Sequence, residues 1–448
     1  METPINLGNY ACLEESLVVF FKRKVNGHLI KPGVDLAGVS LDGANLKRAD
    51  LTGANLAGAD LTRANLTGAN LTNIDLTSAH LPGADMSGAD LTGADLQEAI
   101  LSGASLKNSI LSGADLTRAN LTGADLSRVN LTNANMTNAN LANACMRGAS
   151  LSGAFLSGAS LTGADLSGAN LTETDLSYAD LTGANLFDTD LSYADLTLAY
   201  LTTAVLSGAS LSGANLTRAD LTGADLSNTD LTRVDLKSVS LTRADLRNSK
   251  LTGMDLTEVN LTDVKLSGAD LTGADLTGAD LAGMDLTGTD LSSANLTDVD
   301  VSGADLTGAN LKAATLFGAV LKNSNFTNAI LSDTDLRSVI LTGVDLSGAD
   351  LRNVNLTGVE LSGTNLEGGN LVGANLSNGD LYGANLSGAD LSGANLSGAD
   401  LSGADLTGAD LTGADVTRVN LMGAILSDTD LTGANLTGAA LSDRDLTG

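Results

Sequence analysis

The sequence predicts an all-β solenoid, a chain wound into stacked coils around one apolar column. Three observations carry this. From Leu36 to Leu446 every fifth residue is an apolar anchor, 83 positions in unbroken register. All are Leu except Met86, Met136, Met146, Val301, Phe326 and Val416. The residue two before each anchor is small, mostly Ala, and the residue one before is mostly Asp or Asn. Most anchors are followed by Thr or Ser and then usually by Gly.

Period five fits neither standard element. On an α-helix five residues advance about 500°, so successive Leu side chains would spiral over every face. On a straight strand an odd step reverses the face each time. The anchors share one interior only if the chain bends once per repeat, and a Gly beside the bend suits a tight turn. One repeat buries almost nothing; the stack buries a continuous Leu column.

The phrase Ala394-Asn395-Leu396-Ser397-Gly398 has the pattern A(D/N)LxG, and in that it resembles the pentapeptide-repeat proteins. The resemblance runs from Val34 to the C-terminus. It implies a right-handed quadrilateral parallel β-helix with four repeats per coil, hence about 21 coils and a rod of roughly 100 Å at a strand spacing of about 4.8 Å. Two segments follow: a capping segment, 1–33, and the β-helix, 34–448.

The first 33 residues do not repeat. An open β-helix end exposes apolar side chains and unpaired backbone and needs a cap. Leu13, Leu17, Phe20 and Phe21 fall on a helical stripe, with Glu14 and Glu15 early and Lys22, Arg23 and Lys24 late, as a helix dipole prefers. The expectation is a capping helix stopped at Asn26-Gly27. The alternatives are a hairpin turning at Asn26-Gly27 and an amphipathic foot on a membrane. At the other end Arg444 stands in a small, inward slot just before the last anchor, Leu446. The resemblance implies end-to-end pairing of two chains there, as in gyrase-interacting members of the family; the alternative is a polar stopper for a monomer.

Composition narrows the function. The net charge is −29, with 53 acidic and 24 basic residues among 448. That argues against direct binding to nucleic acid or to an anionic membrane, because phosphate binding needs Lys and Arg. It suits a basic partner surface, or solubility alone. Cys12 and Cys145 are too far apart to suggest a disulfide framework or a metal motif. The start carries no basic n-region, and Leu17 to Phe21 is too short for a signal segment or a membrane span. Repeated N-L-T tripeptides, such as Asn65-Leu66-Thr67, favour a cytoplasmic, bacterial protein, since a eukaryotic secretory route would glycosylate them.

No catalytic constellation is present: His28 lies in the capping segment and His80 in an Asp/Asn slot. Asp recurs because the repeat recurs, and GADLTGAD lacks the Lys of a phosphate loop. No cofactor and no metal are expected. At twenty residues per coil, Asp235, Asp255 and Asp275 should stack, as should Asp390, Asp410 and Asp430. Such carboxylates repel unless turn hydrogen bonds or cations compensate. The four Asp/Asn columns hold 7, 10, 10 and 11 Asp, so acid is spread over every side. The exceptions are more selective. Apolar residues replace Asp or Asn at Ile100, Ile110, Phe155, Tyr200, Val205, Val320, Ile330, Ile340 and Ile425. Of these, Ile100, Tyr200, Val320 and Ile340 share the column with least Asp and form the candidate contact face. Lys250 and Lys265 reverse the charge in slots of the same kind.

Three functions compete. The first is a non-catalytic structural or protein-interaction rod, with a protein partner or a second copy of itself. The second, implied by the resemblance, is a DNA mimic that occupies the DNA site of gyrase. The third, ordering of water or ice by Thr and Ser rows, is opposed by the adjacent Asp slots.

Overall fold

The protein is a right-handed quadrilateral parallel β-helix. The computed structural model describes residues 23–337 and 339–441. Parallel bridges join residues twenty apart, from Asp35 with Asn55 to Asn420 with Ala440. Four five-residue sides therefore make one coil. The Asp/Asn slots lie in four columns, named here by their first members: Asp35, Ser40, Asn45 and Asp50.

A regular repeat explains each of its residue types. Leu91 and Gly93 donate backbone N–H to Ile110 and Ser112 of the next coil, at 2.7 and 3.0 Å. Asp95 donates back to Ile74 of the preceding coil at 2.9 Å. Ala94 closes the corner by donating to Leu91 at 3.0 Å. The remaining N–H, that of Thr92, donates to Asp90 Oδ1 at 3.0 Å, and the Thr92 hydroxyl donates to the same oxygen at 2.6 Å. All five N–H groups are thus paired, as backbone in a packed structure must be. The corner turns through a left-handed residue, φ 64° at Gly93, which glycine adopts without penalty.

Anchors and small residues fill the interior. Leu91, Leu96 and Leu101 are fully buried, and Ala between them leaves room for the facing Leu. Burial of one Leu is worth about 1.5–3 kcal/mol before entropy is subtracted. Where Ser or Thr takes the small slot, its hydroxyl returns to the backbone: Ser109 Oγ donates to the Leu106 carbonyl at 2.6 Å. Among the described residues no buried side-chain nitrogen or oxygen lacks a partner.

The N-terminal edge corrects one expectation. Residues 24–29 form a hairpin, not the end of a helix: β1 (Lys24–Val25) pairs antiparallel with β2 (His28–Leu29). Asn26 and Gly27 have φ of 49° and 84°, both positive, as a two-residue hairpin turn requires. That turn chemistry decides residues 24–29. Arg23 then reaches the first coil and donates to the Asn45 and Lys47 carbonyls at 2.7 and 2.9 Å. In the regular ladder such carbonyls are taken by a preceding coil; here one guanidinium takes both. The stripe of Leu13, Leu17, Phe20 and Phe21 lies outside the described residues, as do Arg444 and Leu446.

The ladder is interrupted at two places. Among the described residues, no bridge joins Asp235 to Asp255, Ser240 to Asn260, Lys265 to Asp285, or Ile340 to Glu360. In each case the small slots just before these residues hold two large side chains, one coil apart: Val234 over Met254, Val239 over Val259, Val264 over Met284, Val339 over Val359. These are the only such pairs in the chain. A single large residue between Ala neighbours one coil away, as at Val299, leaves the ladder intact, with Val320 still donating to the Val299 carbonyl at 2.9 Å. Two stacked Val or Met side chains exceed the strand spacing of about 4.8 Å, and the coils part; Thr334 under Val354 keeps its bridge. The missing bridges from Asn215 to Asp235 and from Asn260 to Asp280 adjoin the same pairs. Asp235 and Asp255 therefore do not pair as the repeat alone predicts, whereas Asp390, Asp410 and Asp430 do.

The amides of Asp255 and Asn260, which no inter-coil bond holds among the described residues, are expected to exchange with deuterium at least roughly tenfold faster than those of Asp95 and Asp115. Val234→Ala with Met254→Ala should slow exchange at Asp255. Unchanged exchange in that variant would show that the stacked side chains are not what parts the coils.

Candidate functional site

The outer surface consists of four columns of short polar side chains separated by corners. Most Asp carboxylates are engaged by their own turn. Asp60 accepts from the Thr62 amide and hydroxyl at 3.0 and 2.6 Å. The Thr62 hydroxyl and amide hold its carboxyl below the ordinary value. Ser302 does the same for Asp300, and Thr407 for Asp405. The stacked acids are thus stabilised by donors at each corner, and no cation is required. Among the described residues no cluster of His, Cys, Asp and Glu is arranged to hold a metal. No helix there is long and apolar enough to cross a membrane.

The predicted contact face is only partly assembled. Ile100, Tyr200, Val320 and Ile340 do share the Ser40 column, but only Val320 and Ile340 are adjacent, joined by a parallel bridge. Ile100 pairs with His80 and Asn120, and Tyr200 with Asp180 and Asp220. Ile340 and Tyr200 are exposed, 52% and 55%, while Ile100 and Val320 are half-buried among their neighbours. A single column thus presents three separate apolar spots.

Corners supply a concentration that reading the Asp/Asn slots alone misses. Five of the twelve large apolar side chains exposed among the described residues fall between Phe155 and Tyr200. Two of them, Tyr178 and Tyr193, occupy the left-handed corner position, with φ of 58° and 60°. Leu198, one coil above Tyr178, has φ 58°. Elsewhere this position is mostly Gly, or a polar residue such as Asn133 or Arg118. For a bulky side chain it costs of order 1 kcal/mol. The Tyr193 ring lies over Gly213, where an added Cβ would meet it at 2.8 Å. The signal was present in the sequence as a departure from Gly after Leu-Ser and Leu-Thr.

The parted coils form a shallow groove of 730 Å³, lined by Arg233, Asp235, Lys237, Lys250 and Asp255 among others. Seven of the 24 basic residues lie within 218–265, beside eight acidic ones, so this belt is nearly neutral on an acidic rod. Lys237 pairs with Asp255 at 2.6 Å, and Lys250 with Asp230 at 3.4 Å. The Lys237 ammonium, aided by the Thr257 hydroxyl, lowers the Asp255 carboxyl to about 2. A second groove, of 550 Å³, lies on the side next to the other interruption, beside Phe317, Asp335 and Arg337.

The Pentapeptide repeats (8 copies) family profile matches the chain in overlapping stretches that span 33–237, 240–368 and 370–438. This protein belongs to the pentapeptide-repeat family. Among solved structures it is similar to the plasmid-mediated fluoroquinolone resistance protein QnrB1, at 23% identity over 48% of this chain and 91% of that one, with a TM-score of 0.25. It is also similar to HetL, a pentapeptide repeat protein involved in heterocyst differentiation regulation in a Nostoc cyanobacterium. There the identity is 36% over 54% of this chain and 88% of that one, with a TM-score of 0.17. A thylakoid-lumen member from Arabidopsis thaliana is 36% identical over 24% of this chain and 70% of that one, with a TM-score of 0.15. No curated protein sequence matches the chain significantly. Membership rests on the repeat match along the chain.

The acid response follows from the carboxylates. A group whose folded pKa is depressed stabilises the fold above its unfolded value and loses that contribution as pH falls through the folded value. For Asp255 the window runs from 3.8 down to about 2. Lys237→Met should return the Asp255 carboxyl toward 3.8, read by carbon-detected NMR titration; a midpoint still near 2 would assign the shift to Thr257 instead.

Proposed function

We propose that this protein is a non-catalytic acidic rod that binds protein partners carrying basic surfaces. The observation behind this reading is the ladder of Asp side chains on all four sides, each fixed by its corner and several held below the ordinary carboxyl value. Such groups stay charged and pre-ordered at neutral pH, and a basic partner meets them without first ordering them. A cytoplasmic location fits this reading. Self-association through the C-terminal end belongs to it as well: the anchors Leu426, Leu431, Leu436 and Leu441 are half-buried, where those inside the rod are fully buried.

A second reading is occupancy of the DNA-binding surface of a topoisomerase such as gyrase. The even spread of Asp over the four columns favours it. The nearly neutral belt at 218–265 favours the first reading, because it breaks the uniform field that a duplex presents.

The purified full-length protein, immobilised in bacterial lysate, is expected to retain basic proteins that are released between about 50 and 300 mM salt, as contacts among exposed charges are. Retention of nothing basic at low salt would overturn the acidic-rod reading. Retention of gyrase subunits that duplex DNA displaces would establish the second reading in place of the first. Sedimentation velocity is expected to show a dimer that Leu436→Asp converts to monomer; a monomer at every concentration would remove the end-to-end pairing.

A further inference from the structure

We propose that the segment around Asp175 and Asp195 is a docking surface for a flexible, arginine-rich stretch of a partner protein. This deepens the acidic-rod reading and rests on it. Three observations converge on the place.

The first is charge. Between Arg147 and Arg218 the chain has no Lys or Arg, but carries seven carboxylates, from Asp165 to Asp195. Among the described residues no other part of the surface combines that lack of cations with so many exposed rings. The second is the arrangement of the rings. Asp175 bridges to Phe155 on one side and to Asp195 on the other, in one column. Tyr178 and Leu198 line the corner along one edge of that column, and Tyr193 stands at the corner along the opposite edge. Tyr200 continues around the first edge beside Asp180. Phe155, Tyr178, Tyr193 and Tyr200 are 51%, 60%, 67% and 55% exposed. The third is conformational. Tyr178, Tyr193 and Leu198 are held at left-handed corners where glycine serves the fold better, so these side chains are retained at the expense of the local backbone.

The chemistry selects arginine. Asp175 and Asp195 use Oδ1 for their own turns, accepting from Ser177 and Thr197. Their Oδ2 atoms make no hydrogen bond among the described residues. A guanidinium donates to such an oxygen while its flat face lies on a tyrosine ring, and it sheds water more readily than an ammonium does. A lysine meets the charge but stacks less well. Nucleic acid is repelled. A second copy presenting the same segment is repelled too, while one presenting its belt at 218–265 is a distinguishable outcome.

The test uses the full chain and a fluorescein-labelled twelve-residue alternating Arg-Ser peptide, with Lys-Ser and Glu-Ser peptides alongside, read by anisotropy at 50 and 150 mM salt. The Arg peptide is expected to bind several-fold more tightly than the Lys peptide, and the Glu peptide not at all. Tyr178→Gly with Tyr193→Gly should weaken the Arg peptide about tenfold, two ring contacts' worth. Glycine is the ordinary residue at these corners, so the variant keeps its fold, which circular dichroism checks. Tyr382→Thr, which removes an exposed ring from the position after an anchor far along the rod, should change nothing. Equal binding of Arg and Lys peptides, no loss in the double variant, or an equal loss in Tyr382→Thr would overturn the docking surface while leaving the acidic rod standing. Failure of every basic peptide at 50 mM salt would overturn both. Wild-type self-association that the double variant abolishes would identify the occupant as a second copy and overturn the arginine assignment.

Discussion

Of the five backbone N–H groups in a regular repeat, four find carbonyls in the chain's own winding, and one, on the residue after the anchor, finds none. The Asp or Asn slot exists to accept it. Thr92 on Asp90 and Thr67 on Asn65 show the same contact, at 3.0 Å in both. A buried or half-buried N–H without a partner costs about as much as a lost hydrogen bond, and here the cost would recur at every corner. This side-chain acceptor therefore completes the corner wherever the slot is Asp or Asn, while slots such as Ile100 and Phe155 keep the period and their bridges through the other four bonds.

The same contact separates charge from fold. Asn65 and Asn70 accept the turn N–H as well as any Asp does. A neutral rod with Asn in every slot would satisfy the same backbone. The −29 charge is consequently not demanded by the ladder, and neither are the tyrosines at Tyr178 and Tyr193, which the corner tolerates less well than glycine. Properties that the repeat leaves free are where interaction with other molecules is encoded.

Packing sets a second limit, on size. The inward slot accepts Ala everywhere and one Val between two Ala residues. Stacked pairs such as Val239 and Val259 part the coils, and basic residues gather there, with Lys237, Lys250 and Lys265 each paired to an Asp. Interior volume on one side of the wall thus alters hydrogen bonding and electrostatics on the other, because a wall one strand thick has no second layer to absorb the change.

The sequence by itself determined the coil, its interior and its polar columns, since each is a periodic property and Leu36 to Leu446 never leaves register. It also contained the hairpin at Asn26-Gly27, although the stripe ending at Phe21 favoured a capping helix; in the structure β1 pairs with β2 and Arg23 reaches the carbonyls of Asn45 and Lys47. What the tertiary structure alone decided is where adjacency across coils fails and which corner residues stand together. Ile100 and Tyr200 share a column with Ile340 but not a neighbourhood, whereas Tyr178, Leu198 and Tyr193 converge around Asp175 and Asp195 from corners that the slot-by-slot reading passed over. The reason is geometric: period five assigns a residue to a face, but only the twenty-residue coil and its spacing say which residues on neighbouring faces stand within reach of one ligand.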